Sequence, residues 1–353
     1  MTFKLRLERL EQRHLCAGNV SASVVDGDLL VLGDNLSNRI TIESAGAGTV
    51  QVRGFNDPGG ATRVNGVANS PRIFPGVTGD IVVRMRGGND LVRVTNLVTS
   101  GDVIVDLGDG NDEAVTGRDK LGGDGRFGAT PSGPLAVSGD VRVVGGAGND
   151  LAYQSDLHVQ GLGVVSRGVG NDTLFLQRPA NGAQNVDYVG NFTVLPGLGD
   201  DTVDFLGLVV NRDLAVTDEG GSLYFVARSM DVGRDFRVLT SAAIDTIDVS
   251  ATNVTNRFTL NTGAGDDNVR LFAIADHMVV HLGAGNDDLE LIGNHTETLV
   301  VRGGDGNDVF LVRNTRSIDA DFHGDAGTDS YRTTSSLPNR ITRLRRFTLE
   351  SLQ

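Results

Sequence analysis

Apolar residues in this chain fall on alternate positions in short runs, and Gly, Asp and Asn cut those runs at regular intervals. Two and four places after a recurring aspartate the residues are apolar: Val92 and Val94, Leu174 and Leu176, Val203 and Phe205, Val269 and Leu271, Leu289 and Leu291, Phe310 and Val312. A period of two places each pair on one face of a strand. A second alternation precedes each glycine turn, as GDVIV from Gly101, GDVRV from Gly139, RDLAV from Arg212, RDFRV from Arg234 and NRFTL from Asn256. The unit is therefore two or three short strands joined by turns.

That unit repeats. The turns GAGDD, GAGND, GDGND and DAGTD end at Asp267, Asp287, Asp308 and Asp329, in steps of 20, 21 and 21 residues, and the series extends back through Asp201, Asp172, Asp150, Asp112 and Asp90. The 38 residues from Asp112 to Asp150 read as one coil of 22 plus an insertion of 16 within Gly117 to Pro134. The 29 from Asp172 to Asp201 hold 7 extra near Arg178 to Gly182, and the 66 from Asp201 to Asp267 make three coils, with degenerate turns at Gly220-Gly221-Ser222 and Ala243-Ile244-Asp245. Upstream, Leu29–Leu32, Ile40–Ile42 and Thr49–Val52 read as strands, Gly33 to Ile40 as a first turn lacking its aspartate, and 54–79 as an irregular loop.

One coil of about 22 residues cannot bury its inward side chains alone, but coils stacked about 4.8 Å apart pair every strand with those above and below. The fold class expected is all-β: a right-handed parallel β-helix or β-solenoid. Residues 1–19 form a separate leader motif, 20–79 an N-terminal cap with degenerate repeats, 80–336 the solenoid, and 337–353 a basic C-terminal cap whose Ile341, Phe347 and Leu349 are available for docking.

Composition adjusts this picture. With 48 Gly, no Trp and 5% aromatic residues among 353, the expected core is thin and filled by Val, Leu and Ile. A net charge of -14 disfavours nucleic acid and favours cations. The lone Cys16 excludes an intrachain disulfide, and no run of about 18 apolar residues is present to span a membrane.

The turn Gly303-Gly304-Asp305-Gly306-Asn307-Asp308-Val309-Phe310-Leu311 resembles the nonapeptide of haemolysin-type (RTX) calcium-binding proteins, and Gly145 to Asp150 matches the same six-residue core. The resemblance implies calcium held by turn carbonyls and the terminal aspartates: Asp90, Asp112, Asp150, Asp172, Asp201, Asp267, Asp287, Asp308 and Asp329. Glycine-rich corners expose carbonyls, and calcium accepts such oxygens in flexible numbers. Because the turn occurs once per coil, calcium would line one edge. The alternative is Asx-turns that need no metal. Without a cation, stacked carboxylates about 4.8 Å apart would repel by about 1 kcal/mol per pair in water.

Leu10-Glu11-Gln12-Arg13-His14-Leu15-Cys16-Ala17 resembles the LEPR-x-L-L motif of planctomycete extracellular proteins, which implies export or cell-surface attachment. Of the remaining histidines, His158, His277, His281, His295 and His323, the pair His277 and His281 falls on an outer face opposite Met278, Val280 and Leu282. HExxH, GxSxG and phosphate-loop motifs are absent. The carboxylate pairs Asp200-Asp201, Asp266-Asp267 and Asp287-Asp288 coincide with the turns and point different ways, so no enzyme activity is expected. The functional expectation is a secreted or cell-surface, calcium-binding solenoid with a structural or adhesive role, whose partners are calcium and surface glycans or cell-envelope components. The alternative is a carbohydrate-active β-helix or glycan-binding module.

Overall fold

The computed structural model describes residues 18–57, 60–118, 133–177, 186–333, 340–348 and 351–352. The leader motif with Cys16, most of the Gly117–Pro134 insertion, the Arg178–Gly182 loop and Leu349 lie outside them. The described chain has no helix, and its parallel strands stack into a β-solenoid of about 11 turns spaced roughly 22 residues apart.

Register is continuous along the stack. Ile81 pairs with Val103, Val103 with Val141, Val141 with Gly163, Gly163 with Phe192, and the column runs on through Leu214, Phe236, Phe258, Met278 and Leu299 to Ala320. Both expected insertions fall between strands. Gly117 pairs with Ser155 and Leu135 with Leu157, so 18 residues of one coil span what two do in the next. Gln177 pairs with Leu206 and Asp187 with Val209, so ten residues match three.

At the N-terminal end the strand Asn19–Val25 pairs antiparallel with Asp28–Leu32, and Thr49–Gly54 pairs antiparallel with both Arg39–Gly46 and Arg72–Pro75. Asp28–Leu32 and Arg39–Gly46 also pair parallel with the first regular coil, so hairpins cover an otherwise open edge. The irregular loop expected over 54–79 is thus partly ordered. Arg63–Val64 and Val67–Ala68 form a hairpin around Asn65-Gly66, both at positive φ, as two-residue turns require. At the other end Arg340–Thr348 pairs parallel with Arg316–Ala326 and continues the stack.

The alternation predicts the interior correctly: Val92, Val94, Leu174, Leu176, Phe310 and Val312 are all buried. A core filled only by aliphatic side chains is the wrong expectation, however. Tyr188, Phe192, Phe205, Phe225, Phe236 and Phe258 form a continuous aromatic column, with successive ring centroids 4.3 to 6.2 Å apart. Gly163 stands in the inward column because a Cβ there would meet the rings of Tyr188 and Phe192. A few rings placed on one column fill the lumen that a low average aromatic content suggested was thin.

Candidate functional site

The aspartate that ends each glycine turn shares the parity of the inward residues two and four places later. Its side chain therefore points into the corner rather than out to solvent. Asp90, Asp112, Asp150, Asp172, Asp201, Asp267, Asp287, Asp308 and Asp329 are each at most 3% exposed. Oδ1 accepts the backbone amide of the equivalent residue one coil earlier: Asn38 to Asp90, Asp90 to Asp112, Asp112 to Asp150, Asp150 to Asp172 and Asp172 to Asp201, at 2.6–2.8 Å. The ladder resumes from Leu223 to Asp245 and runs through Asp267, Asp287 and Asp308 to Asp329, at 2.6–2.9 Å. All nine expected residues thus lie in one row.

The residue before each aspartate forms a second, exposed ladder of opposite sense. Asn89 Oδ1 accepts the amide of Asn111, Asn111 that of Asn149, and Asn149 that of Asn171, at 2.8–3.0 Å. The same bond runs from Asn286 to Asn307 and from Asn307 to Thr328. Asn-Asp is therefore a device that ties each coil to both neighbours, supplying acceptors where the backbone ladder breaks at the corner. The flanking glycines are needed here: at Gly148 and Gly306 φ is +128 and +142, and a Cβ would strike the carbonyl of the coil below.

Burial dominates the electrostatics. It pushes the carboxyl of Asp90 up to about 8, those of Asp150, Asp267 and Asp308 to about 7, and that of Asp201 to about 6, from an ordinary 3.8. Asp112, Asp172 and Asp287 are raised for the same leading reason. Accepted amide bonds oppose the shift. Repulsion between stacked carboxylates is a smaller contribution than burial.

Oδ2 of Asp90, Asp112, Asp150, Asp172, Asp201, Asp287 and Asp308 is buried with no hydrogen-bond partner. In the two turns that carry the full six-residue motif this oxygen has company. Gly303 lies against both Asp308 Oδ2 and the Gly324 carbonyl, so that a Cβ there would clash with both oxygens, and Gly145 lies in the same way against Asp150 Oδ2 and the Arg167 carbonyl. These cradles suit a hard cation, which takes carboxylate and carbonyl oxygens together. Among the described residues no three His, Cys, Asp or Glu side chains converge as a metal cluster. Any ion here would rest on one carboxylate per turn supplemented by backbone.

The degenerate turn expected at Ala243-Ile244-Asp245 is in place, with Asp245 fully buried as a ladder rung although no glycine precedes it. Two features escaped the sequence reading. Where Leu223 replaces the rung, Asp218 brings a buried carboxyl from the other side of the turn, raised by burial to about 6. Second, carboxylates do not line one edge only. At the Gly-Asp corner Asp28, Asp80, Asp102 and Asp140 form another ladder, each Oδ1 taking the amide of the next coil at 2.7–2.8 Å.

His277 and His281 face outward opposite buried Met278, Val280 and Leu282, and His277 Nδ1 lies 2.8 Å from Thr298 Oγ1. The carboxylate pairs diverge: Asp201, Asp267 and Asp287 are buried while Asp200, Asp266 and Asp288 are exposed. No helix among the described residues is long and apolar enough to cross a membrane. Comparison with protein-family models, curated proteins and solved structures finds no match to this chain.

Proposed function

We propose that the chain is a calcium-stabilised β-solenoid that serves as a rigid structural or adhesive element outside the cell. The observation that carries this reading is the pair of oxygens at Gly303, where Asp308 Oδ2 is buried without a partner and the Gly324 carbonyl lies against the same glycine. Leaving a carboxylate oxygen so placed costs about 1–3 kcal/mol or more unless a proton or a cation offsets it. Bound calcium would supply fixed positive charge between successive coils. Asp308 and Gly324 would hold it, Asp287 and Asp329 standing in the adjacent rungs. Turn-borne carbonyls with one carboxylate per coil suit the weak affinities of about 10⁻⁴ to 10⁻³ M that extracellular calcium modules show. The resemblance of the leader motif to that of exported proteins supports the same location.

Calorimetric titration of chelator-treated protein with calcium chloride tests the reading. Uptake at millimolar concentration, lost in Asp308→Asn, is expected; absence of uptake together with a melting temperature unmoved by chelator overturns it.

A further inference from the structure

Arg167 is a buried charge that the repeat does not call for. Val165 pairs with Val143 and Gly168 with Gly146, so Arg167 stands directly over Gly145, the first residue of the full motif. That position points inward, as fully buried Met85, Leu107 and Leu282 show at the same place in other turns. Arg167 follows them and is 1% exposed, with Nε, Nη1 and Nη2 all lacking a hydrogen-bond partner. A buried guanidinium is strongly disfavoured unless nearby anions offset it. The anions are at hand: Asp150 acts on it most, followed by Asp172, Asp201 and Asp112, two rungs on either side. Among the described residues no positive group acts in the same way on Asp267, Asp287 or Asp308.

The two cradles make a matched pair. Beside Gly303 the residue one coil later is Gly324, which has no side chain; beside Gly145 it is Arg167, whose carbonyl lies against Gly145 and whose guanidinium is buried without a hydrogen-bond partner. We infer that Arg167 is the resident cation of the Asp112–Asp201 rungs, taking the place of a divalent ion there and confining calcium to the C-terminal stretch of the row. The confinement rests on the calcium reading above, whereas the counter-ion role does not.

The full chain and four variants separate the two. In chelator, Arg167→Met is expected to lower the melting temperature by roughly 5 °C or more, because it strands buried carboxylates. Arg167→Lys should retain part of the loss, and adding Asp150→Asn to Arg167→Met should restore part of it, which a purely packing role would not produce. Arg167→Gly, which recreates the Gly303 environment, should take up one more calcium than the unaltered chain by calorimetric titration. A double variant no more stable than Arg167→Met overturns the counter-ion role. Unchanged stoichiometry in Arg167→Gly, with the unaltered chain binding calcium, overturns the confinement. If the unaltered chain binds no calcium, the calcium reading and the confinement fall together, and the melting comparison still decides the role of Arg167.

Discussion

The backbone amide of Asp287 donates to Asp308 Oδ1 at 2.9 Å, one coil later, while Asp308 Oδ2 stays buried without a partner. One side chain thus has two separable tasks. Oδ1 closes a corner amide that no strand reaches, and Oδ2 is left for a proton or a cation. In Asp308→Ala the Asp287 amide loses its acceptor, so a loss of about 1–3 kcal/mol is expected in chelator by denaturant unfolding. Asp308→Asn keeps the acceptor and should lose less there, but should forgo the increment that calcium gives the unaltered chain.

Acidity offers a second check. The folded chain holds the carboxyls of Asp90, Asp150, Asp267 and Asp308 at about 7 to 8, against 3.8 when exposed. Between those limits the folded state binds protons that the unfolded state has released, so stability falls as pH rises. Chelated protein should therefore melt highest near pH 4 and lose melting temperature steadily toward pH 8. Calcium at saturating concentration should flatten the upper part of that profile. A chelated protein that gains stability between pH 5 and 8 contradicts the buried, unpartnered carboxyls.

The solenoid was legible because inward residues obey a period of two and the turns a period near 22. Even the two insertions could be measured from intervals alone. The parity of Asp90 with Val92 and Val94 already marked the row as inward, so that burial, and not only mutual repulsion, sets its electrostatics. What could not be read was how one coil's oddities compensate another's. Nothing local marks Asp218 as a buried carboxyl beside the turn where Leu223 replaces the rung, or Arg167 as a charge on which four aspartates act, because those relations exist only once coils are stacked. The aromatic column was hidden in the same way: Tyr188, Phe192 and Phe205 belong to different strands that meet only in the lumen.

Ala251 gives a test of the third corner, where strands meet through a residue at positive φ. Gly207 and Gly293 occupy it without strain, but Ala251 sits there at φ 49 with its side chain exposed. An L-residue with a Cβ pays about 1–2 kcal/mol in this region, partly offset by the greater freedom glycine has when unfolded. Ala251→Gly is expected to stabilise the chain by about 0.5–1 kcal/mol in urea unfolding. A loss of stability would contradict the corner geometry.

Anomalous diffraction from crystals grown in calcium chloride tests the central claim most directly. The account expects a calcium peak beside Gly303, within about 2.3–2.6 Å of Asp308 Oδ2 and the Gly324 carbonyl oxygen, and none at the Arg167 corner. A crystal saturated with calcium in which the Gly303 cradle shows no anomalous signal contradicts it.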